Sequence, residues 1–300
     1  MNRLLMVLAC LALNPTAYSE AVSSSTVITA TFKNVPPVAQ AAFNQAVEIW
    51  ERCLDTRAEI KINVRGIERG PTGFAIPRMV RNEPFLPLAE TWYPSALANA
   101  LRGKRDNEDD DMNIFLSLRP NWFYATKTDP DKTIAPDQVD YVNVALHEIA
   151  HGLGISSGSF IPWQGEPIAS IGYPNEYLNF FEYTFALPEL DGTPQIYDRY
   201  IRTHNDKALL EFPNPSAELA QALRAPGIYF NGDEAFKTAG QTVEVMPGNI
   251  SHIPLQTGRP TPIMLADSGK GESVHQLDRL LLAMLSDIGW PVSDACRSSD

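Results

Sequence analysis

In the first half of the chain, hydrophobic residues recur with two different spacings, one typical of strands and one typical of helices. β-Branched and polar residues alternate in "STVITATF" (residues 25–32), which predicts a strand. The segment "PPVAQAAFNQAVEIWERCL" begins with prolines and has its apolar residues largely on one face, which predicts a helix. Further strands are predicted at "AEIKINVRGI" and at the end of "RDNEDDDMNIFLSL", and a short helix at "PSALANALRG" between them. Together these patterns predict a mixed sheet with helices.

The second half of the chain differs in composition and in the elements that it predicts. The segment "DQVDYVNVALHEIAHGLG" (residues 137–154) predicts a helix of about five turns that ends at Gly154. Residues 155–260 are rich in Pro, Gly and Asn, with short helical candidates at "NEYLNFFEYTF" and "PSAELAQALRA". The closing "HQLDRLLLAMLSDIGW" predicts an amphipathic helix.

This order of elements predicts one α+β domain over residues 22–300. Residues 22–154 would form an upper part, with a mixed sheet and the helix that ends at Gly154. Residues 155–300 would form an irregular lower part that ends in a helix. We expect a cleft between the two parts.

The N-terminus has the order of a secretory signal. Arg3 precedes an apolar run from Leu4 to Leu13, and Asn14-Pro15 and small residues follow. We therefore expect residues 1–21 to be a signal peptide, and the mature protein to be secreted or periplasmic. The run is too short to span a bilayer, so no membrane insertion is expected. A buried first strand or helix explains this order less well.

Composition restricts the partners. The chain has 300 residues and a net charge of −12, which argues against nucleic acid or an anionic membrane surface as its main partner. The acidic run Glu108–Asp111 could hold Ca²⁺ or favour basic peptides, but a solvated loop is the simpler interpretation.

Two cysteines remain after the signal peptide, Cys53 and Cys296. In an oxidising compartment they could join the first helix to the C-terminal tail. A buried Cys53 with an unpaired Cys296 is equally compatible with the sequence. Neither cysteine has CxxC spacing, so a cysteine-ligated zinc site is not expected.

The candidate chemistry lies in the helix that ends at Gly154. His147 and His151 are four residues apart, so they share one helix face and can ligate one metal ion, as in the H-E-x-x-H pattern of zinc peptidases. A zinc ion with three protein ligands lowers the pKa of a coordinated water to about 7. Glu148 can then accept the proton of the attacking water and pass it to the leaving amine.

The third metal ligand is not local. The longer pattern H-E-x-x-H-x-x-G-x-x-H would place it at residue 157, where Ser157 is a poor zinc ligand. Two alternatives remain open, His252 in "NISHIP" and Glu176 in "PNEYLNFFEY". His252 is favoured because Met264 follows in a Pro-flanked segment, as a Met-turn would.

Met264 alone is also compatible with ordinary core packing. The other two histidines, His204 and His275, lie in polar surroundings and are expected at the surface.

The ordered set of motifs resembles metzincin zinc peptidases of the leishmanolysin-like kind, including secreted bacterial relatives. In that group a "HEIAHGLGF"-type helix is followed by a long insertion before an "SH" ligand. Here "HEIAHGLGI" and "ISHIP" place His252 101 residues after His151. The other matching stretches are "AFNQAVEIW", "TWYPSALANAL", "QIYDRYI", "PIMLAD" and "LAMLSDIGW".

The resemblance implies a metzincin-like fold and a secreted zinc endopeptidase. One catalytic zinc would be held by His147, His151 and His252, with Glu148 as general base and Met264 beneath the metal. The implied substrate is a peptide bound as an added strand along the sheet edge, for which "DMNIFLSL" is the candidate.

Two alternative functions stay open. One is a non-catalytic zinc-containing binding or adhesion protein on the same fold. The other is a glutamate-type zinc peptidase that uses Glu176. The presence of Glu148 beside both helix histidines favours a catalytic role.

Overall fold

A computed structural model describes residues 26–106, 108–124, 133–161, 168–172, 192–257, 260–267 and 269–297. The expected signal peptide (1–21) and the helical candidate at 175–185, with Glu176, lie outside these residues. Within the described ranges, no helix is both long and apolar enough to cross a bilayer.

The described chain consists of short strands, α-helices and 3₁₀ helices, one of which spans Tyr197–Tyr200. The strands are β1 (Ile28–Lys33), β2 (Ile60–Ile67), β3 (Gly73–Pro77), β4 (Met79–Val80), β5 (Tyr93–Pro94), β6 (Met112–Ser117), β7 (Trp122–Phe123), β8 (Val139–Asp140), β9 (Ser159–Phe160), β10 (Ser170–Ile171), β11 (Ile201–Arg202), β12 (Tyr229–Phe230) and β13 (Val243–Glu244). The α-helices are α1 (Pro37–Cys53), α2 (Ser95–Arg102), α3 (Tyr141–Leu153), α4 (Ala217–Arg224), α5 (Asp233–Ala239), α6 (Arg279–Asp287) and α7 (Asp294–Arg297). The predicted α+β class is confirmed.

The main sheet has four strands in the order β1-β2-β6-β3. β1, β2 and β6 are parallel, and β3 runs antiparallel to β6. The expectation that "DMNIFLSL" forms the sheet edge is therefore wrong, because β6 lies between β2 and β3. The edge next to β6 is β3, which lies in a Pro- and Gly-rich segment and has no clear strand pattern.

Helices α1 and α3 pack together and form the core with the sheet. The indole Nε1 of Trp50 in α1 donates a hydrogen bond to Leu146 O of α3 at 3.3 Å. The C-terminal segment contacts the last residue of α3, where Trp290 Nε1 donates to Leu153 O at 2.7 Å. Both tryptophans are buried, so α3 is held along its length by apolar packing and directed hydrogen bonds.

Two helices begin later than their hydrophobic patterns indicate. Asp140 caps α3 and accepts a hydrogen bond from Asn143 N at 3.1 Å, so the helix begins at Tyr141 and not at residue 137. Asp278 caps α6 in the same way, accepting from Leu281 N at 2.8 Å. A capping carboxylate satisfies backbone N–H groups that have no partner within the helix.

A disulfide joins Cys53 at the end of α1 to Cys296 in α7. Backbone hydrogen bonds support the same junction, since Ser293 N donates to Cys53 O at 2.9 Å and Asp55 N to Pro291 O at 2.8 Å. Of the two open interpretations of these cysteines, the structure selects the bonded pair.

Candidate metal centre

The candidate site is built on α3, whose residues are almost all buried. His147 and His151 lie one turn apart on the same helix face, and their ring centroids are 4.6 Å apart. Gly154 ends the helix in a left-handed conformation (φ +119°), which a residue with a side chain adopts only with strain. The chain then turns so that Ile155 O meets the ring of His151.

Each helix histidine is oriented by a backbone carbonyl. His147 Nδ1 lies 2.7 Å from Ile263 O, and His151 Nδ1 lies 2.6 Å from Ile155 O. A carbonyl oxygen only accepts, so both Nδ1 atoms carry the proton. The Nε2 lone pairs are therefore free to ligate a metal, in the arrangement that metal-binding histidines use.

His252 completes the cluster. Its Nε2 lies 3.3 Å from Nε2 of His151, and its ring centroid is 5.2 Å from that of His147. One candidate ligand atom from each of the three histidines lies within 4.8 Å of the other two. The convergence expected from the sequence is confirmed, and the three side chains lie close enough to hold one metal ion.

One distance in this cluster has the value that a tetrahedral ion requires. Two nitrogens bound at about 2.0–2.1 Å to one tetrahedral zinc lie about 3.3 Å apart. The separation between the Nε2 atoms of His151 and His252 has that value. Among the described residues, no other group of three or more His, Cys, Asp or Glu side chains is spaced to share a metal ion.

Burial keeps these imidazoles neutral. It lowers the pKa of His147 and takes that of His151 well below its ordinary value. For His252, burial and then the neighbouring His147 lower the pKa to about 4. Neutral imidazole is the form that binds metal.

Glu148 lies on the same helix and is buried beside the edge strand. A Cβ atom at residue 73 would lie 2.6 Å from Glu148 Oε1, so the glycine of β3 leaves room for this carboxyl group. Burial raises the pKa of Glu148 to about 8, and its Oε2 has no hydrogen-bond partner. A dication on the neighbouring histidines would lower that pKa again, because opposite charge favours the carboxylate.

Met264 is fully buried next to the residue that orients His147. Its carbonyl accepts a hydrogen bond from Ile253 N at 2.8 Å, which joins the segments carrying Met264 and His252. The segment containing Met264 thus contacts the ring of His147 through Ile263 O and the residue after His252 through Met264 O.

The remaining sequence candidates lie elsewhere. Ser157 makes hydrogen bonds with Ser159 and Asp198 rather than with the histidines. His204 is exposed, as expected. His275 is only partly exposed, and its Nε2 lies 2.8 Å from Oδ2 of the buried Asp140.

The acidic run makes ion pairs with basic residues. Glu108 pairs with Lys61 at 2.5 Å, Asp109 with Arg78 at 3.1 Å, and the buried Asp111 with Arg105. These pairings neutralise most of the run, and nothing in its geometry favours Ca²⁺.

Sequence reasoning missed several residues that shape the site. Gly73 lies in a strand that the sequence does not predict, and a glycine has no functional group that would mark it as a site residue. Tyr197 and Asp198 contact the segments around the histidines, and the stretch "QIYDRYI" that contains them belongs to the motifs of the resemblance. That stretch was the one signal that could have found them.

Comparison with known families assigns the chain to a family but not to an activity. A model of the SPBPB7E8-like family matches residues 2–166 of the 300, so the chain belongs to this family. The matched region contains His147, Glu148 and His151 and ends before His252. No curated protein and no solved structure matches the chain.

Proposed function

We propose that this protein is a secreted zinc-dependent endopeptidase of metzincin-like fold. The observation that supports this most strongly is the convergence of His147, His151 and His252 beside Glu148. Three neutral imidazoles with an adjacent carboxylate are the donor set of a hydrolytic zinc site, which leaves a fourth position for water or substrate.

A zinc ion bound here would supply Lewis acidity, polarising a carbonyl and lowering the pKa of water. Glu148 is one residue from His147 and is placed to accept a proton from the attacking water. It then returns that proton to the amine of the leaving peptide. Glu148 is buried and its Oε2 makes no hydrogen bond among the described residues, so no protein group competes with the water for this oxygen.

The open edge of β3 suits a peptide substrate. Ser117 N donates to Thr72 O and Arg78 N to Asp111 O, so the even-numbered residues of this segment pair with β6. The backbone groups of Gly73 and Ala75 therefore point to the other side of β3, where no strand of the described chain pairs. An extended peptide could pair with these groups, close to Glu148.

Export is part of the proposal. The signal-like order of residues 1–21 is joined by the Cys53–Cys296 disulfide, which persists best in an oxidising compartment. A secreted or periplasmic location agrees with both features.

Cleavage of casein by the purified protein tests this function. The wild type should contain one zinc per chain and cleave casein, whereas Glu148→Gln should keep its zinc and lose about 10²–10⁴-fold in rate. Glu108→Gln makes the same chemical change at an exposed site and should leave the rate unchanged.

Two results would contradict the proposal. A Glu148→Gln protein that cleaves at the wild-type rate would remove the catalytic role of this residue. Stoichiometric zinc in a wild type that turns over neither casein nor a peptide library would favour the non-catalytic binding protein.

A further inference from the structure

The three histidines are not held in the same way. The rings of His147 and His151 are each fixed by a hydrogen bond from Nδ1 to a carbonyl. Among the described residues, His252 Nδ1 is buried and makes no such bond to another segment; the backbone contact of its ring is with Asn249, in the same turn. The orientation of His252 must therefore come mainly from the backbone that carries it.

That backbone forms a compact turn. Asn249 N donates to Met246 O at 3.0 Å, His252 N to Asn249 O at 3.1 Å, and Met246 N to His252 O at 2.8 Å. These bonds close the turn on itself, but they do not fix its position relative to α3.

Several hydrogen bonds attach the turn to the rest of the molecule. Gly248 N donates to Leu223 O at 2.8 Å, and Ile253 N, the residue after His252, donates to Met264 O at 2.8 Å.

Two more hydrogen bonds reach the residues just before His252. The hydroxyl of Tyr197 donates to Ile250 O at 2.7 Å, and Ser157 N donates to Ser251 Oγ at 2.9 Å. Their acceptors are the two residues that precede His252. Tyr197 is fully buried, so its hydrogen bond is shielded from water.

Both donors are held through one buried carboxylate. Asp198 Oδ1 accepts from Ser157 Oγ at 2.5 Å, while Oδ2 accepts from Gly158 N at 3.0 Å and Gln195 N at 2.9 Å. Asp198 is also the neighbour of Tyr197 in the chain. The carboxylate thus links the loop that follows α3 to the short 3₁₀ helix Tyr197–Tyr200, which carries the tyrosine.

We propose that Tyr197, Asp198 and Ser157 form a positioning network that sets His252 against the two histidines of α3. Ser157 occupies the place where a compact ligand set would have its third histidine, and it instead helps to hold the distant ligand. This inference rests on the proposed metal site. The network acts on the metal through His252 and touches no reacting atom.

Zinc affinity of the full mature chain, measured by competition with a chelator, tests the network. Tyr197→Phe removes the hydroxyl that holds Ile250, and Ser251→Ala removes the acceptor of Ser157 N. Each variant should raise the dissociation constant for zinc by about 10- to 100-fold, as changes around metal ligands do. The visible absorption of bound Co²⁺ should change as well, because it reports the ligand geometry.

Tyr200→Phe is the matched control. Tyr200 lies on the same short helix, stacks on Phe230, and donates its hydroxyl to Asp287 O, away from the His252 turn. Loss of the Tyr200 hydroxyl should leave the zinc affinity within about twofold of that of the wild type. Ser251→Ala keeps the test decisive if Tyr197→Phe fails to fold.

Each outcome separates the two proposals. Wild-type affinity in both test variants, or an equal loss in Tyr200→Phe, would overturn the positioning network. If His252→Ala binds zinc as tightly as the wild type, the metal site and the network both fail. If the test variants lose affinity but the wild type cleaves no peptide, the network stands and only the peptidase function fails.

Discussion

The backbone of Gly73 lies directly against the carboxyl group of Glu148, and a Cβ atom at residue 73 would be 2.6 Å from Oε1. Gly73→Ala should therefore displace the carboxyl group without touching a metal ligand. Because displacement of a catalytic group by about 1 Å can cost about 10²-fold, we expect kcat to fall by about 10- to 100-fold. Casein or peptide kinetics measure this change.

The control for Gly73→Ala is Ala75→Gly, which alters the same face of β3 without adding atoms beside Glu148. It should keep kcat within a few-fold of the wild type, and both variants should keep their zinc. A Gly73→Ala protein with wild-type kcat would show that the carboxyl group does not depend on this space.

The open side of β3 gives a second prediction. Ala75→Pro removes a backbone N–H that points away from β6, at an edge position where proline is tolerated. A substrate that pairs with this edge loses one hydrogen bond, so KM should rise by about 2- to 10-fold with little change in kcat. An unchanged KM for long peptides would place the substrate elsewhere.

The buried Asp198 predicts how stability depends on pH. Burial raises its pKa to about 6, against the opposing effect of hydrogen bonds from Ser157, Gln195 and Gly158. The folded state therefore holds this proton more tightly than the unfolded state. The contribution is fully present below pH 3.8 and is lost as the pH rises through 6.

Urea unfolding of the metal-free wild type and Asp198→Asn checks this sign. Between about pH 4 and pH 7 the wild type should lose about 2 kcal/mol relative to the variant. Each pKa unit corresponds to about 1.4 kcal/mol, and part of the full contribution is already lost at about pH 4. Taking the difference cancels the titration of other groups. A difference that stays constant over this range would contradict the prediction.

The disulfide predicts a stability effect of its own. Cys53 and Cys296 are 243 residues apart in sequence, so their bond strongly restricts the unfolded chain. Cys53→Ser, Cys296→Ser and the double variant should each lower the free energy of unfolding by about 2–5 kcal/mol. Equal losses in all three would show that the bond is responsible, and additive losses would point to packing of the separate side chains.

The sequence predicted the elements with strong periodicity and the local part of the site. Helix α3 with His147, Glu148 and His151 followed from one contiguous motif. Strand β3 did not, because its five residues form a strand only through pairing with β6. The glycine and the proline at its two ends are also residues that predict a turn and not a strand.

The long-range part of the site depended on resemblance and not on periodicity. The order of motifs favours His252 over Glu176, since spacing alone gives no information about contacts across 101 residues. The positions of Tyr197 and Asp198 depend on hydrogen bonds between distant segments. No local pattern encodes such bonds.

Zinc K-edge absorption spectroscopy, with zinc content measured in parallel, tests most directly whether His147, His151 and His252 share one zinc ion. The wild type should show three imidazole ligands and one oxygen. Zinc should be lost in His252→Ala and retained in Glu176→Ala and in His204→Ala, which replaces an exposed histidine. Two imidazoles with a carboxylate in the spectrum, and zinc lost only in Glu176→Ala, would contradict the three-histidine site.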